Sequence, residues 1–280
     1  MNKVLALIFF IVGVSIIKAS EHNLVTDRPG FYNNPQIMDK GSLVLELGIQ
    51  NVWFSSNKYT IEPNINTLKY GVGEQVELRL GLGYQLQYMK LPNLEVVGAE
   101  EEWAATENQN LATFGAKVGF LETTSDLLSA ELNLSLPPFL DANSISPYAN
   151  ISLLYTRKLH EEFALSSNLR YTFLYSDFPN EDILDIHLAF EHAVSENFGW
   201  LVESWTNVNS QTFQVISELG EEGSRNTTNS FTGGNLAFWY RPVPSIQIDA
   251  QGGLFTDNKQ SSEDNQPNII LNLGASFLLN

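Results

Sequence analysis

The chain contains no cysteine. Disulfide staples, a thiolate zinc site and a lipid-modified cysteine at a processed N-terminus are therefore excluded. Basic residues are scarce too: 15 Lys and Arg stand against 32 Asp and Glu, a formal charge of −17. That balance excludes nucleic acid as a partner, because displacing phosphate counterions takes Lys and Arg. Long apolar runs are missing beyond residue 19, so nothing reaches the roughly 20 apolar residues of a spanning helix. A chain that crosses a bilayer without helices has to be a closed barrel, since open sheet edges in lipid leave backbone groups unpaired. No Gly-x-x-x-x-Gly-Lys pattern follows Gly71–Gly73 or Gly233-Gly234; these glycines mark turns or bends and not a phosphate cradle.

What is present begins with an address. Lys3 precedes an apolar stretch, Val4–Ile17, which is the form of an export signal. The expected cut lies between Ala19 and Ser20, and losing Lys3 and Lys18 takes the charge from −17 to −19. The expected organisation is a signal peptide over 1–19, an N-terminal segment over 20–41 and a transmembrane β-barrel over 42–280.

From Val76 to Tyr88 the sequence alternates without a break. Val76, Leu78, Leu80, Leu82, Tyr84, Leu86 and Tyr88 are apolar or aromatic, and every residue between them is polar or glycine. Successive strand side chains point to opposite faces, so one face is greasy and the other wet. A tilted strand crosses a bilayer in about 9–11 residues, and this run suffices. Comparable runs lead the first strand (Leu43, Leu45, Leu47, Ile49), the fifth (Leu128 to Leu136), the seventh (Phe163 to Tyr175) and the last (Ile269 to Leu279).

Twelve strands are predicted: 42–53, 61–70, 75–88, 111–120, 127–136, 147–157, 163–175, 182–193, 198–207, 231–241, 245–255 and 268–279. Short connections alternate with longer polar ones, the asymmetry of outer-membrane barrels, and an even count puts both termini in the periplasm. Aromatic residues near strand ends (Trp53, Tyr70, Tyr84, Tyr88, Phe120, Tyr148, Phe163, Tyr175, Trp200, Trp239 and Tyr240) suit the boundary between water and hydrocarbon. The two acidic clusters, Glu95–Glu107 and Glu218–Glu222, fall in expected external loops, Met89–Asn110 and Val208–Ser230. They read as a solvated surface or as a patch for cations. Their spacing assigns no metal site, and nothing in the chain calls for a cofactor.

Thr26-Asp27-Arg28-Pro29-Gly30-Phe31, then Lys40-Gly41-Ser42, Asn66–Gly71, Glu77–Gly81, Gly115–Val118, Ser135–Pro137 and Gly233–Leu236, resemble a family of outer-membrane transporters named after a member linked to meta-pathway phenol degradation. The resemblance spans nearly all of the exported chain, and its most specific piece is Thr26, Asp27, Arg28 and Pro29. It implies a monomeric barrel in a Gram-negative outer membrane, surrounded by lipid and inserted by the barrel-assembly machinery. The expected substrate is a small solute, with hydrophobic or aromatic molecules among the candidates.

The wet faces carry Glu46, Lys69, Glu77, Arg79, Lys117, Glu131, Asn133, Arg157, Asn168, Arg170, Asp185, His187, Glu191, Glu203, Asp249, Gln251 and Asn272. Of these, Glu46, Lys69, Glu77, Arg79, Lys117, Glu131, Arg170, Asp185, His187 and Asp249 are the candidate pore lining. Two readings stay open: the charges pair and close the lumen, or some of them line a polar path that selects solutes. The N-terminal segment likewise reads either as a periplasmic tail or as a plug bonded to those charges. Asp185 and His187, two apart on one strand, resemble half of an omptin protease site. No Asp-x-Asp partner exists in the chain, so the expectation is a transport barrel and not an enzyme. The alternative is a non-conducting, adhesin-like barrel that binds an external partner through its acidic loops.

Overall fold

The computed structural model describes residues 24–28, 30–54, 58–62, 66–90, 103–136, 147–174, 181–216, 222–257 and 267–279. The expected export signal, Pro29, Tyr175 and most of the two acidic clusters lie outside them. Thirteen strands appear among the described residues: β1 (Leu43–Phe54), β2 (Lys58–Glu62), β3 (Asn66–Gly73), β4 (Val76–Lys90), β5 (Trp103–Glu122), β6 (Asp126–Leu136), β7 (Tyr148–Lys158), β8 (Phe163–Leu174), β9 (Glu181–Ser195), β10 (Phe198–Ile216), β11 (Glu222–Val243), β12 (Ile246–Asp257) and β13 (Asn268–Leu278). Each pairs antiparallel with its neighbours, and β13 returns to β1 from Val44↔Leu278 to Trp53↔Ile269, which closes the ring.

The thirteen strands fill twelve positions. Both β2 and β3 lie between β1 and β4 and run the same way. Five residue steps separate Glu62 from Thr67, opposite four from Gln50 back to Glu46. The extra residue reverses the alternation, so that Thr60 on β2 and Lys69 on β3 are both buried inside. No single period-2 pattern can describe that stretch, which is why the expected second strand, 61–70, covers only parts of both pieces.

The outer surface is apolar. Leu82 (57% exposed), Leu132 (60%) and Leu273 (58%) sit among some thirty large hydrophobic residues pointing outward. A water-soluble protein does not present such a belt, whereas a bilayer requires it. Trp53, Tyr70, Phe120 and Tyr240 also face outward. Trp239 departs from the expected girdle: neighbours on a strand face opposite ways, and with Tyr240 outside, Trp239 is buried within. Arg157 departs in the other direction. Its inward neighbour is Thr156, so Arg157 stands outside near Asp126, with its side chain 59% exposed.

Two expected loops are strand over most or all of their described residues. Trp103–Asn110 continues β5 and pairs with Tyr84–Lys90, and Val208–Ile216 pairs with Glu222–Ser230 in one long hairpin. Stretches such as Asn209-Ser210-Gln211-Thr212 and Asn226-Thr227-Thr228-Asn229 carry no apolar face. Backbone ladder bonds do not need one once the strand has left the hydrocarbon, and apolar periodicity is blind to such extensions. The turns at the opposite end are short, as expected: Glu74–Gln75, Glu196–Asn197 and Pro244–Ser245 join consecutive strands.

A charge on the outer belt tests the bilayer assignment. Leu132→Arg is expected to cost about 2–4 kcal/mol of folding free energy in lipid, the range for a basic residue near the midplane. Denaturant titration in liposomes measures it, and an unchanged midpoint would contradict a lipid-facing Leu132.

Candidate functional site in the barrel lumen

The inward positions of neighbouring strands fall in register, and this gathers the charged residues. Lys69 lies opposite Arg79, Glu77 opposite Lys117 and Lys117 opposite Glu131. A lumen cannot bury such groups singly, because an isolated ion out of water costs several kcal/mol. Their partners come partly from each other and partly from the N-terminal segment, which runs inside the ring.

Leu24 and Val25 pack with Met38, Val44 and Leu278 in a buried cluster at the end where β1 starts and β13 finishes. From there the segment climbs into the lumen, crosses it, and returns to β1. Asp27 sits among three cations: it contacts Arg79, lies 2.7 Å from Lys69 Nζ and 3.8 Å from Lys117 Nζ. Burial by itself would raise the Asp27 carboxyl, but Arg79, Lys69 and Lys117 outweigh it and hold it well below the ordinary carboxylate range. Glu46 takes a second contact from Lys69 at 2.7 Å and accepts from Thr26 Oγ1 and the Asp27 amide. Arg79 further reaches Glu77 (2.8 Å) and Glu131 (2.6 Å), so one guanidinium spans three carboxylates.

Arg28 has a seat of its own. Its guanidinium donates from Nε and Nη2 to Asp249 (3.0 and 2.9 Å) and from Nη2 to Asn272 (3.0 Å). It rests on Gly48 and Gly274, which face each other across the β1–β13 pair. A Cβ at either glycine would collide with it. Further along, the Phe31 amide donates to Glu203, Asn33 Nδ2 to Glu131, and Lys117 Nζ to the Asn34 carbonyl. Tyr32 Oη donates a hydrogen bond to Glu191 at 3.2 Å; burial first, and that carboxylate second, raise the phenol well above its usual range.

Two cavities adjoin the segment. A polar cavity of about 260 Å³ is bordered by Asp27, Gly30, Asn33, Arg79 and Glu131. A cavity of about 740 Å³, towards the far end, is bordered by Phe31, Phe54, Trp205, Phe231 and Phe255. Arg170 borders both. The segment and the charged wall together form an internal barrier across the lumen.

Neither a family model nor any curated protein matches the sequence. Solved structures do. An outer-membrane channel from Pseudomonas putida F1 superposes with a TM-score of 0.61 over 90% of this chain and 99% of that one, at 11% identity. The NanC porin gives 0.50 over 82% and 98%, at 8% identity. This is a barrel of the outer-membrane type. At such identities the likeness establishes the barrel's fold alone.

The sequence-derived candidates scatter in instructive ways. Glu46, Lys69, Glu77, Arg79, Lys117 and Glu131 come together around Asp27, while Asp249 pairs with Arg28. Arg170 joins no ion pair among the described residues, and its recorded bond is a 3.4 Å contact with Ser152. Asp185 does not orient His187. It accepts from Asn207 at 2.7 Å, whereas the carboxylate at His187 Nδ1 is Glu203 of β10, at 3.0 Å. Sequence reasoning missed the two glycines, Asn33 and the ring-lined chamber. A signal for the chamber exists: inward positions that are polar lower down turn aromatic at the far end, as in Glu203 then Trp205, and Asp249, Gln251 then Phe255.

Two perturbations test the seat. Gly274→Leu is expected to evict Arg28 and expose residues 24–41 to protease while the barrel keeps its heat-modifiable migration on gels. The Asp27 carboxyl is depressed in the folded state, so its contribution is complete above about pH 4, its unfolded range, and is lost as pH falls further. Protection of the segment, followed by hydrogen exchange, should therefore be flat from pH 7 to about 5 and fall below about 4.

Proposed function

We propose that this protein resides in the outer membrane of a Gram-negative bacterium and carries small solutes through its lumen, by passive or facilitated passage. The observation that carries the reading is the pair of cavities inside the barrel, each bordered by the N-terminal segment and both by Arg170. A closed structural barrel has no need of a chamber of about 740 Å³ at its far end, and side chains alone could fill a narrow one. The apolar belt supports the location, and the solved structures of like fold are named as a channel and a porin. The resemblance of Thr26-Asp27-Arg28-Pro29 to the phenol-pathway transporters gains a physical sense here, because Asp27 and Arg28 are the residues that fasten the segment. The working unit is a monomer surrounded by lipid and inserted by the barrel-assembly machinery.

On this reading the segment is the resistance. Planar-bilayer recordings of the full barrel should show small or rare openings, and deletion of residues 24–41 should raise conductance severalfold. Arg79→Ala and Arg170→Ala should shift ion selectivity towards cations. A deletion variant that folds and never conducts would overturn the reading and leave a barrel that acts through its external hairpins.

A further inference from the structure

The far chamber is built unlike the rest of the lumen. Phe255 is its hub: Trp205, Phe54 and Phe231 lie at 5.7, 5.8 and 6.3 Å between ring centroids, and Phe31 of the N-terminal segment meets Trp205 edge-on at 6.0 Å. Val52 and Ile270 complete the apolar wall. Small-molecule sites have this composition, a mostly apolar concavity with a few placed polar groups.

The polar groups at the chamber have unequal needs. Its carboxylates have donors: Asp185 Oδ1 takes the Asn207 amide, and Glu203, just beneath, takes His187, Asn235 and the Phe31 amide. Two of its donors have capacity left. Arg170 is half-buried, donates from Nε to Ser152 at 3.4 Å and has no carboxylate in reach among the described residues, although Asp185 is its register partner on β9. Trp205 Nε1 is buried and has no hydrogen-bond partner there, and a buried donor without an acceptor is costly. A group that engages both brings acceptors and negative charge, and the rings favour an apolar, flat remainder.

We propose that the far chamber binds an aromatic molecule carrying one carboxylate, with its ring among Phe31, Trp205, Phe231 and Phe255 and its carboxylate on the Arg170 guanidinium. This rests on the passage reading and gives it a substrate class. A carboxylate accepts two parallel bonds from a guanidinium, the strongest neutralisation available to an unpaired Arg. Arg170 also borders the adjoining polar cavity, so the group that holds the anion lies where the two cavities meet.

The test is isothermal titration of the full refolded barrel in zwitterionic detergent with three ring-matched probes: benzoate, benzyl alcohol and benzylamine. Benzoate should bind at least tenfold tighter than either of the others. Arg170→Gln should weaken benzoate by about ten- to a hundredfold, the effect of one charge-assisted contact, and leave benzyl alcohol unchanged. Asp185→Asn, which removes a like charge, should tighten benzoate, and heat-modifiable migration verifies folding of each variant. A preference for benzylamine, benzoate binding indifferent to Arg170→Gln, or no binding of any probe would each overturn the proposal. Bilayer conductance on the same preparation separates the two readings. Conduction without benzoate binding removes this inference and keeps passage, whereas benzoate binding by a barrel that never conducts removes passage and keeps a binding chamber.

Discussion

Everything inside this barrel is arranged around the need to neutralise charge where water is scarce. Three cations from β3, β4 and β5 and three carboxylates from β1, β4 and β6 converge on one layer of the lumen. Asp27 is the carboxylate that those cations share, and it arrives from outside the sheet. Removing one partner of a buried pair costs about 3–5 kcal/mol, because the other is stranded. The N-terminal segment is consequently a structural member of the lumen, held by the same electrostatics that it relieves. Its position sets the height of the barrier and the placement of Phe31 in the far chamber.

How much of this was legible in the sequence depends on which physical signal each part leaves. The barrel wall was readable because lipid on one side and a polar lumen on the other enforce a period of two, as in Val76–Tyr88. The inward set was readable for the same reason, with Arg157 the exception, set one place off the inward phase by Thr156. The β2–β3 interruption was not readable, since one additional residue cancels the period. The β5 and β10–β11 extensions were not readable either, because beyond the bilayer neither face of a strand need be apolar. Partners were the hardest to foresee. That Glu203, and not Asp185, holds His187 follows from the register of β9 on β10, and no spacing along a single strand contains that information.

Small residues carry as much of the site as charged ones. Gly119 leaves room beside Ile37, and Gly71 lies against the backbone at Met38 and Asp39, where any side chain would intrude. With larger residues at these positions a ring of twelve strand positions would have no space for a second layer of chain. The lumen thus holds the segment through a division of labour: glycines give it room, and acids and bases give it a fixed place.

The seat of Arg28 also says something about time. Its parts are divided among Gly48 and Glu46's strand β1 at the start of the barrel and Asp249, Asn272 and Gly274 of β12 and β13 at its end. These strands are more than two hundred residues apart in the chain and become neighbours only when the ring closes. Before that moment the β12–β13 hairpin can offer Asp249, Asn272 and Gly274, but the facing glycine, Gly48, is missing. The complete seat exists only in a closed ring, so Arg28 in its place is a report that the seam has closed.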